Sequence, residues 1–224
     1  IKLLEDIPNL NVRSKEAYQK ITFHRAEELY LNQEYDRADA FFKKSLKYPI
    51  NKTQEGLAYF WRAEIAAKSG NYTTSINLMN RFMSYDEILQ FKNYGYYSIG
   101  YSYFKMKDYP KAQIFFSKFK SKETYDAENN KLYLDNTQRL ADCYFINGAY
   151  SKAIFEYEFI IKNNYQNSDY AIFQQGMLYG LKERHLDKIS TLRKIQKDFP
   201  KSIYIDDALY QMAMEHLTIE DYKT

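Results

Sequence analysis

Three histidines, His24, His185 and His216, and one cysteine, Cys143, are the side chains best suited to bind a metal or attack an electrophile. Zinc ligation needs such residues clustered, and these histidines stand far apart with no His-x-x-x-His spacing. Cys143 lies in "RLADCYF", an apolar helical stretch that predicts a buried thiol behaving as a small hydrophobe. The 7 glycines are scattered, so no Gly-x-Gly-x-x-Gly or Walker-type phosphate loop is formed. Ser, Asp and Glu abound, but without a nucleophile-and-base pattern. The residues therefore predict no catalysis, no cofactor and no metal. Asn51-Lys-Thr and Asn71-Tyr-Thr match a glycosylation sequon by pattern alone.

Aromatic rings dominate instead. The chain of 224 residues holds 24 Tyr and 15 Phe against 7 Gly and 4 Pro. Few breakers and many large rings predict a helical chain packed through aromatic contacts. A net charge of +3, with Lys outnumbering Arg 24 to 8, is too small for a nucleic-acid footprint and favours a solvated surface. One cysteine excludes an intramolecular disulfide and leaves the redox compartment open. No run of 18 apolar residues occurs, so no membrane insertion by this segment is expected.

The segment "YYSIGYSYFKMKDYPKAQIFFSKF", residues 96 to 119, carries nine aromatic residues and serves as a template for the rest. Its pattern of aromatic, Ile99-Gly100, Tyr103, Tyr109, Ala112, Phe116 and Phe119 returns along the chain. Ala63, Tyr72, Ser75 and Phe82 match it, as do Ala141, Tyr144, Tyr150, Ala153 and Tyr157, and Ala26, Tyr35, Ala38 and Phe42. Leu186 and Tyr222 occupy the turn position of two weaker copies. The turn residues 35, 72, 109, 150, 186 and 222 are spaced 37, 37, 41, 36 and 36 apart. Within each unit the apolar residues recur three and four apart, which places them on one helical face. Gly70 and Gly148 fall where a first helix should end, and Asp108 before Pro110 marks the start of a second. A chain of antiparallel helix pairs follows.

These residues resemble the tetratricopeptide repeat, whose pattern is an aromatic, Leu-Gly, Tyr, Gly-x-Tyr, Ala, an aromatic, Ala and Pro. The resemblance covers the chain and implies an all-α, right-handed superhelical solenoid of antiparallel helix pairs, about five and a half repeats long. The expected organisation is one domain, 1–224, with repeats at roughly 14–52, 53–90, 91–131, 132–167, 168–203 and an incomplete 204–224. The period exceeds the family's usual ~34 residues. Residues 163 to 176 and 198 to 213 are similar to the Tyr-Pro-x-Ser linkers of bacterial envelope repeats of the BamD and YbgF type, with Gln166 where that pattern has Pro. Lys, Asn, Ile and Tyr enrichment fits an AT-rich bacterial genome. The polar stretch 121 to 136 reads as a solvated loop or an extra helical turn.

The resemblance further implies that Tyr96, Ile99, Gly100, Tyr103, Ala112 and Phe116 pack helix on helix, while other first-helix positions line a concave groove. Those positions are Phe60, Glu64, Tyr94, Tyr97, Tyr101, Phe104, Gln138, Arg139, Asp142 and Gln174, with Phe23, Glu27, Tyr30, Ala67, Phe145, Gln175 and Leu178 beside them. Tyr offers apolar area and a hydroxyl at low entropy cost, which suits peptide recognition. The alternative is that these rings only touch one another. Phe23 and Glu27 stand where a carboxylate-clamping relative would need Lys and Asn, which argues against that mode.

The expected function is a non-enzymatic protein-interaction scaffold that binds a peptide or protein segment in an aromatic groove. An envelope assembly or secretion complex is the expected setting, in the bacterial periplasm or at the outer membrane. The rival reading is a structural spacer within a longer solenoid. Tyr222 at a turn position so near Thr224 predicts a further helix downstream. Until covered, the face of Ala208, Leu209, Met212, Ala213, His216 and Leu217 would then favour self-association.

Overall fold

The computed structural model describes residues 1–126, 131–163 and 168–219, and those residues contain helices and no strand. The chain forms two compact units, Ile1–Lys111 and Ala112–Thr224. In the first are α1 (Lys2–Glu5), α2 (Val12–Leu31), α3 (Tyr35–Ser45), α4 (Lys52–Lys68), α5 (Tyr72–Met83), a 3-10 helix (Asp86–Phe91) and α6 (Lys92–Lys105). The division falls within α7 (Tyr109–Lys122). The second unit continues with α8 (Lys131–Ile146), α9 (Tyr150–Lys162), α10 (Ser168–Leu181), α11 (His185–Asp198) and α12 (Ile205–Thr218).

Each pair is made by the same local device. Helices α2, α4, α6, α8 and α10 all end on a residue with positive φ: Gln33 (63°), Gly70 (76°), Lys107 (62°), Gly148 (76°) and Glu183 (57°). Around each, two backbone bonds close the helix end. Glu34 N–H donates to Leu29 O and Gln33 N–H to Tyr30 O, and the same pair recurs at 71/66 with 70/67 and at 149/144 with 148/145. This is the Schellman arrangement, which satisfies carbonyls that a helix end would leave unpaired. The next helix then starts at once. Helices α3, α5, α7 and α9 begin on Tyr35, Tyr72, Tyr109 and Tyr150, and α11 begins on His185, one residue before Leu186. Tyr222 lies outside the described residues.

Those tyrosines are clasps. Tyr35 meets Tyr30 edge-on with centroids 5.4 Å apart, Tyr109 meets Phe104 at 5.5 Å, and Tyr150 meets Phe145 at 6.2 Å. In each case the ring that opens the second helix grips one from the end of the first. Asparagines start other helices: Gln54 N–H donates to Asn51 Oδ1 at 2.9 Å and Thr74 N–H to Asn71 Oδ1 at 3.3 Å. Both sequon asparagines are thus helix caps.

Within each unit, helices pack on their neighbours in sequence: α2 on α3, α3 on α4 and α4 on α5, then α8 on α9, α9 on α10 and α10 on α11. Small residues allow the approach. Ala26, Ala38, Ala63, Ala112, Ala141 and Ala153 are all 0% exposed. A Cβ on Gly176 would stand 2.6 Å from Leu192 Cδ2, so glycine is required where α10 meets α11. Large side chains fill the space between, with Phe42, Phe82 and Tyr157 fully enclosed. Burying each such ring contributes about 1.5–3 kcal/mol.

Several local features depart from the sequence reading. Phe23, expected to line the groove, is only 3% exposed and packs its ring on Phe42 at 5.6 Å, as core. Leu178 is enclosed as well. Part of the 121–136 stretch folds back, because Tyr125 sets its ring on Phe159 at 5.1 Å and on Tyr133 at 5.6 Å. On α12, Ala208 and Met212 are buried while Tyr210, Met214 and Leu217 are exposed. No helix among the described residues is long and apolar enough to cross a membrane.

Candidate functional site

In the first unit, α4 carries Phe60 and Glu64 one turn apart. Helix α6 carries Tyr94, Tyr97, Tyr101 and Phe104 at helical spacing, so each set forms a stripe. Glu64 joins the two helices. Its Oε1 accepts from Ser98 Oγ at 2.8 Å and its Oε2 from the Tyr94 hydroxyl at 3.3 Å. The rings continue from there: Phe60 to Tyr94 at 5.5 Å, Tyr94 to Tyr97 at 5.9 Å, and Tyr97 stacked on Tyr101 at 6.1 Å.

The tyrosines touch one another and still border open space. Glu64, Tyr72, Tyr94, Tyr97, Ser98 and Tyr101 line a cleft of about 360 Å³, with Lys68 and Lys105 also on its wall. Phe60 and Phe104, read from spacing as groove residues, are not part of its lining. Phe60 also packs on Trp61 at 5.1 Å and Phe82 at 5.2 Å, and Phe104 holds Tyr109. Lys105 Nζ lies 5.2 Å from the Tyr101 ring centroid, a cation–π contact at the rim. Sequence spacing identified the aromatic stripe but missed Tyr72, Ser98, Lys68 and Lys105. A serine amid tyrosines was the available signal for Ser98.

Burial pushes the Glu64 carboxyl above the ordinary range, and hydrogen bonds from Ser98 and Tyr94, with the charge of Lys68, offset this in part. Burial, followed by the Glu64 charge, also pushes the Tyr30 phenol up to about 12. Burial, followed by the charge and hydrogen bond of Glu64, likewise pushes the phenol of Tyr94, on the cleft wall, upward.

In the second unit, α8 brings Gln138, Arg139 and Asp142 together, but not on one open surface. Asp142 is 6% exposed, and its Oδ1 accepts from Tyr157 at 2.6 Å and from Tyr170 at 2.9 Å. Burial raises its carboxyl above the usual range despite both donors. Its other oxygen lies 3.7 Å from Arg139 Nη1. Gln138, Arg139 and Tyr170 line a cleft of about 510 Å³ closed by Ser202, Ile203 and Tyr204. Asp142 and Gln174 line another of about 420 Å³, with Tyr150 and Tyr157. Sequence reading missed Tyr170, Ser202 and Tyr204, which belong to connections and to α10 rather than to a first-helix stripe read from repeat spacing.

The remaining reactive groups have structural partners. Cys143 is 0% exposed, and burial pushes its thiol up to about 12. His24 pairs with Glu27 and His185 with Glu215. Among the described residues, no three His, Cys, Asp or Glu side chains gather where they could hold a metal ion.

A tetratricopeptide-repeat family model matches residues 94–123. Comparison with curated proteins yields no match. Among solved structures, the chain is similar to YrrB, a tetratricopeptide-repeat protein, with a TM-score of 0.67 at 17% identity over 85% of this chain and 89% of that one. It is also similar to MamA, with a TM-score of 0.64 at 19% identity over 79% and 95%. A further likeness is to MamA of Desulfovibrio magneticus RS-1, with a TM-score of 0.64 at 13% identity over 80% and 94%. At these identities the likeness is one of fold. The chain has the all-α fold of tetratricopeptide-repeat solenoids.

Proposed function

We propose that the chain is a non-enzymatic scaffold that holds a peptide or protein segment against the tyrosine-lined cleft between α4 and α6. The observation that carries this reading is the run Tyr94–Tyr97–Tyr101, whose rings border the cleft and are only half-buried. Rigid rings lose little entropy on binding and combine apolar area with a hydroxyl. Lys68 and Lys105 on the same wall favour an acidic residue in the bound segment. YrrB, of similar fold, is described as having an unusual peptide-binding site, which supports a peptide ligand for this architecture.

Selection of a displayed library of random linear peptides on the full chain tests the reading. Selected peptides should bind the wild-type chain and lose most of their affinity with Tyr97→Ala or Tyr101→Ala. Peptides indifferent to both variants would remove the cleft from the function, and failure to select any would favour the structural spacer.

We further propose an envelope setting, in the periplasm or at the outer membrane of a bacterium. Support comes from the composition and from the linkers resembling BamD- and YbgF-type repeats at 163 to 176 and 198 to 213. Fractionation of source cells with an antibody to this chain tests it: recovery with the cytosol would overturn the placement.

A further inference from the structure

Two clefts of this chain occupy the same positions of the repeat. In the first unit Glu64 and Lys68 stand eight and four residues before Tyr72, and all three line the cleft of about 360 Å³. In the second unit Asp142 and Ile146 stand eight and four residues before Tyr150, and all three line the cleft of about 420 Å³. Each carboxylate accepts from two hydroxyls: Glu64 from Ser98 and Tyr94, Asp142 from Tyr157 and Tyr170.

The chain supplies a cation to the first cleft and omits it from the second. The Lys68 charge offsets part of the burial of Glu64. Its counterpart Ile146 is uncharged and 54% exposed. Among the described residues, none that lines the second cleft is cationic. Arg139 is not part of that lining, and its Nη1 lies 3.7 Å from Asp142 Oδ2, longer than a hydrogen bond. Burial outweighs that guanidinium and both phenols at the Asp142 carboxyl.

The walls of the second cleft select its occupant. Phe145 meets Tyr150 edge-on at 6.2 Å and Tyr157 meets Tyr170 at 6.4 Å, so four rings line it beside one carboxylate. An anion is repelled there, and an apolar group would take water from the carboxylate with nothing in return. A divalent metal needs several oxygen or nitrogen ligands, which one carboxylate among rings does not provide. An organic cation gains from both the charge and the ring faces. Arginine pairs best through both oxygens of a carboxylate, but Oδ1 already accepts two hydroxyls. The compact ammonium of lysine needs one oxygen, and Oδ2 is the one those hydroxyls leave.

We propose that the cleft lined by Asp142, Phe145, Ile146 and Tyr150 seats a lysine side chain of a bound protein segment, its ammonium on Asp142 Oδ2 and its methylenes against the rings. This rests on the reading of the chain as a peptide-binding scaffold and adds a basic residue to the segment, at a site separate from the Tyr97 cleft. The bound lysine supplies the charge that Lys68 gives to Glu64.

The test uses peptides selected from a displayed random library on the full chain, measured against wild type, Asp142→Asn, Ile146→Lys and Tyr97→Ala. Selected peptides should carry one lysine whose Nε-acetylation lowers affinity for wild type about tenfold, the loss of a charge-assisted hydrogen bond. The same acetylation should change little on Asp142→Asn, which lacks the charge, or on Ile146→Lys, which supplies its own ammonium. Ile146 is exposed, so that variant carries the comparison even if Asp142→Asn melts early. Equal acetylation losses on all three chains would overturn the lysine seat, and so would arginine serving as well as lysine. Peptides with no lysine requirement that are lost with Tyr97→Ala would overturn the seat and keep the tyrosine cleft. Lysine-dependent peptides indifferent to Tyr97→Ala would support the seat and overturn the cleft. If no peptide is selected, n-butylammonium is the second probe: saturable binding lost in Asp142→Asn would assign the cleft to a free amine and overturn the bound segment. Absence of both would overturn the seat and the scaffold reading together.

Discussion

Tyr157 on α9 donates its hydroxyl to Asp142 Oδ1 on α8 at 2.6 Å, and both residues are buried. A carboxylate in that position tethers two helices, but at a cost. Burial raises the Asp142 carboxyl above its ordinary value of 3.8, so the folded chain binds a proton that the unfolded chain has released over the interval above 3.8. Stability from this group is greatest below 3.8 and falls as pH rises through the interval to the raised value. Asp142→Asn keeps an acceptor for Tyr157 and Tyr170 and removes the charge. Its stability relative to wild type should increase with pH across that interval in urea denaturation, and a pH-independent difference would refute the linkage. Tyr157→Phe should cost about 2 kcal/mol at neutral pH, because a buried carboxylate loses a donor.

Glu215 behaves in the opposite sense. Burial pulls its carboxyl upward, but hydrogen bonds from Lys188, at 2.5 Å, and from His185 outweigh this and hold it below 4.5. Its contribution is present above pH 4.5 and is lost as pH falls through the depressed value. Lys188 is 7% exposed, so Lys188→Met leaves a buried carboxylate without its main partner. A loss of about 3 kcal/mol is expected. The double variant Lys188→Met with Glu215→Leu should recover most of it in thermal melts.

Three turns place a residue with a Cβ in the left-handed region: Gln33, Lys107 and Glu183. That conformation costs roughly 1–2 kcal/mol for an L-residue and nothing comparable for glycine. Each change to Gly should therefore stabilise by up to about 1 kcal/mol, after the greater entropy loss of glycine on folding is subtracted. Gly148→Ala, at φ 76°, should destabilise by a similar amount. Chemical denaturation of the single variants would show both signs.

Ala153 is 0% exposed where α9 packs, whereas Tyr101 is half-buried beside the cleft. Ala153→Leu should cost about 1–3 kcal/mol through overpacking. Tyr101→Ala should cost less in stability and more in peptide affinity. Equal melting losses for the two would show that Tyr101 belongs to the core.

Much of the fold was legible in the residues alone. The tyrosines at 35, 72, 109 and 150 recur because each opens a helix directly after a Schellman turn, and Gly70 and Gly148 recur because that turn needs positive φ. Ala26, Ala38, Ala141 and Ala153 are small because a helix crosses there. These are local requirements, repeated in every pair, so their period survives in the sequence. What the period cannot encode is whether a side chain on the exposed stripe stays open. Spacing placed both Phe23 and Asp142 in the groove, yet Phe42 packs on the first, and Tyr157 and Tyr170 enclose the second. Glu64 is held by Ser98, and Gln138 is left without a partner, through contacts between side chains some thirty residues apart or through their absence. Helical periodicity sets the direction of a side chain. Burial, charge state and hydrogen-bond satisfaction depend on the size and chemistry of what the next helices bring to it, and only the tertiary structure decides that.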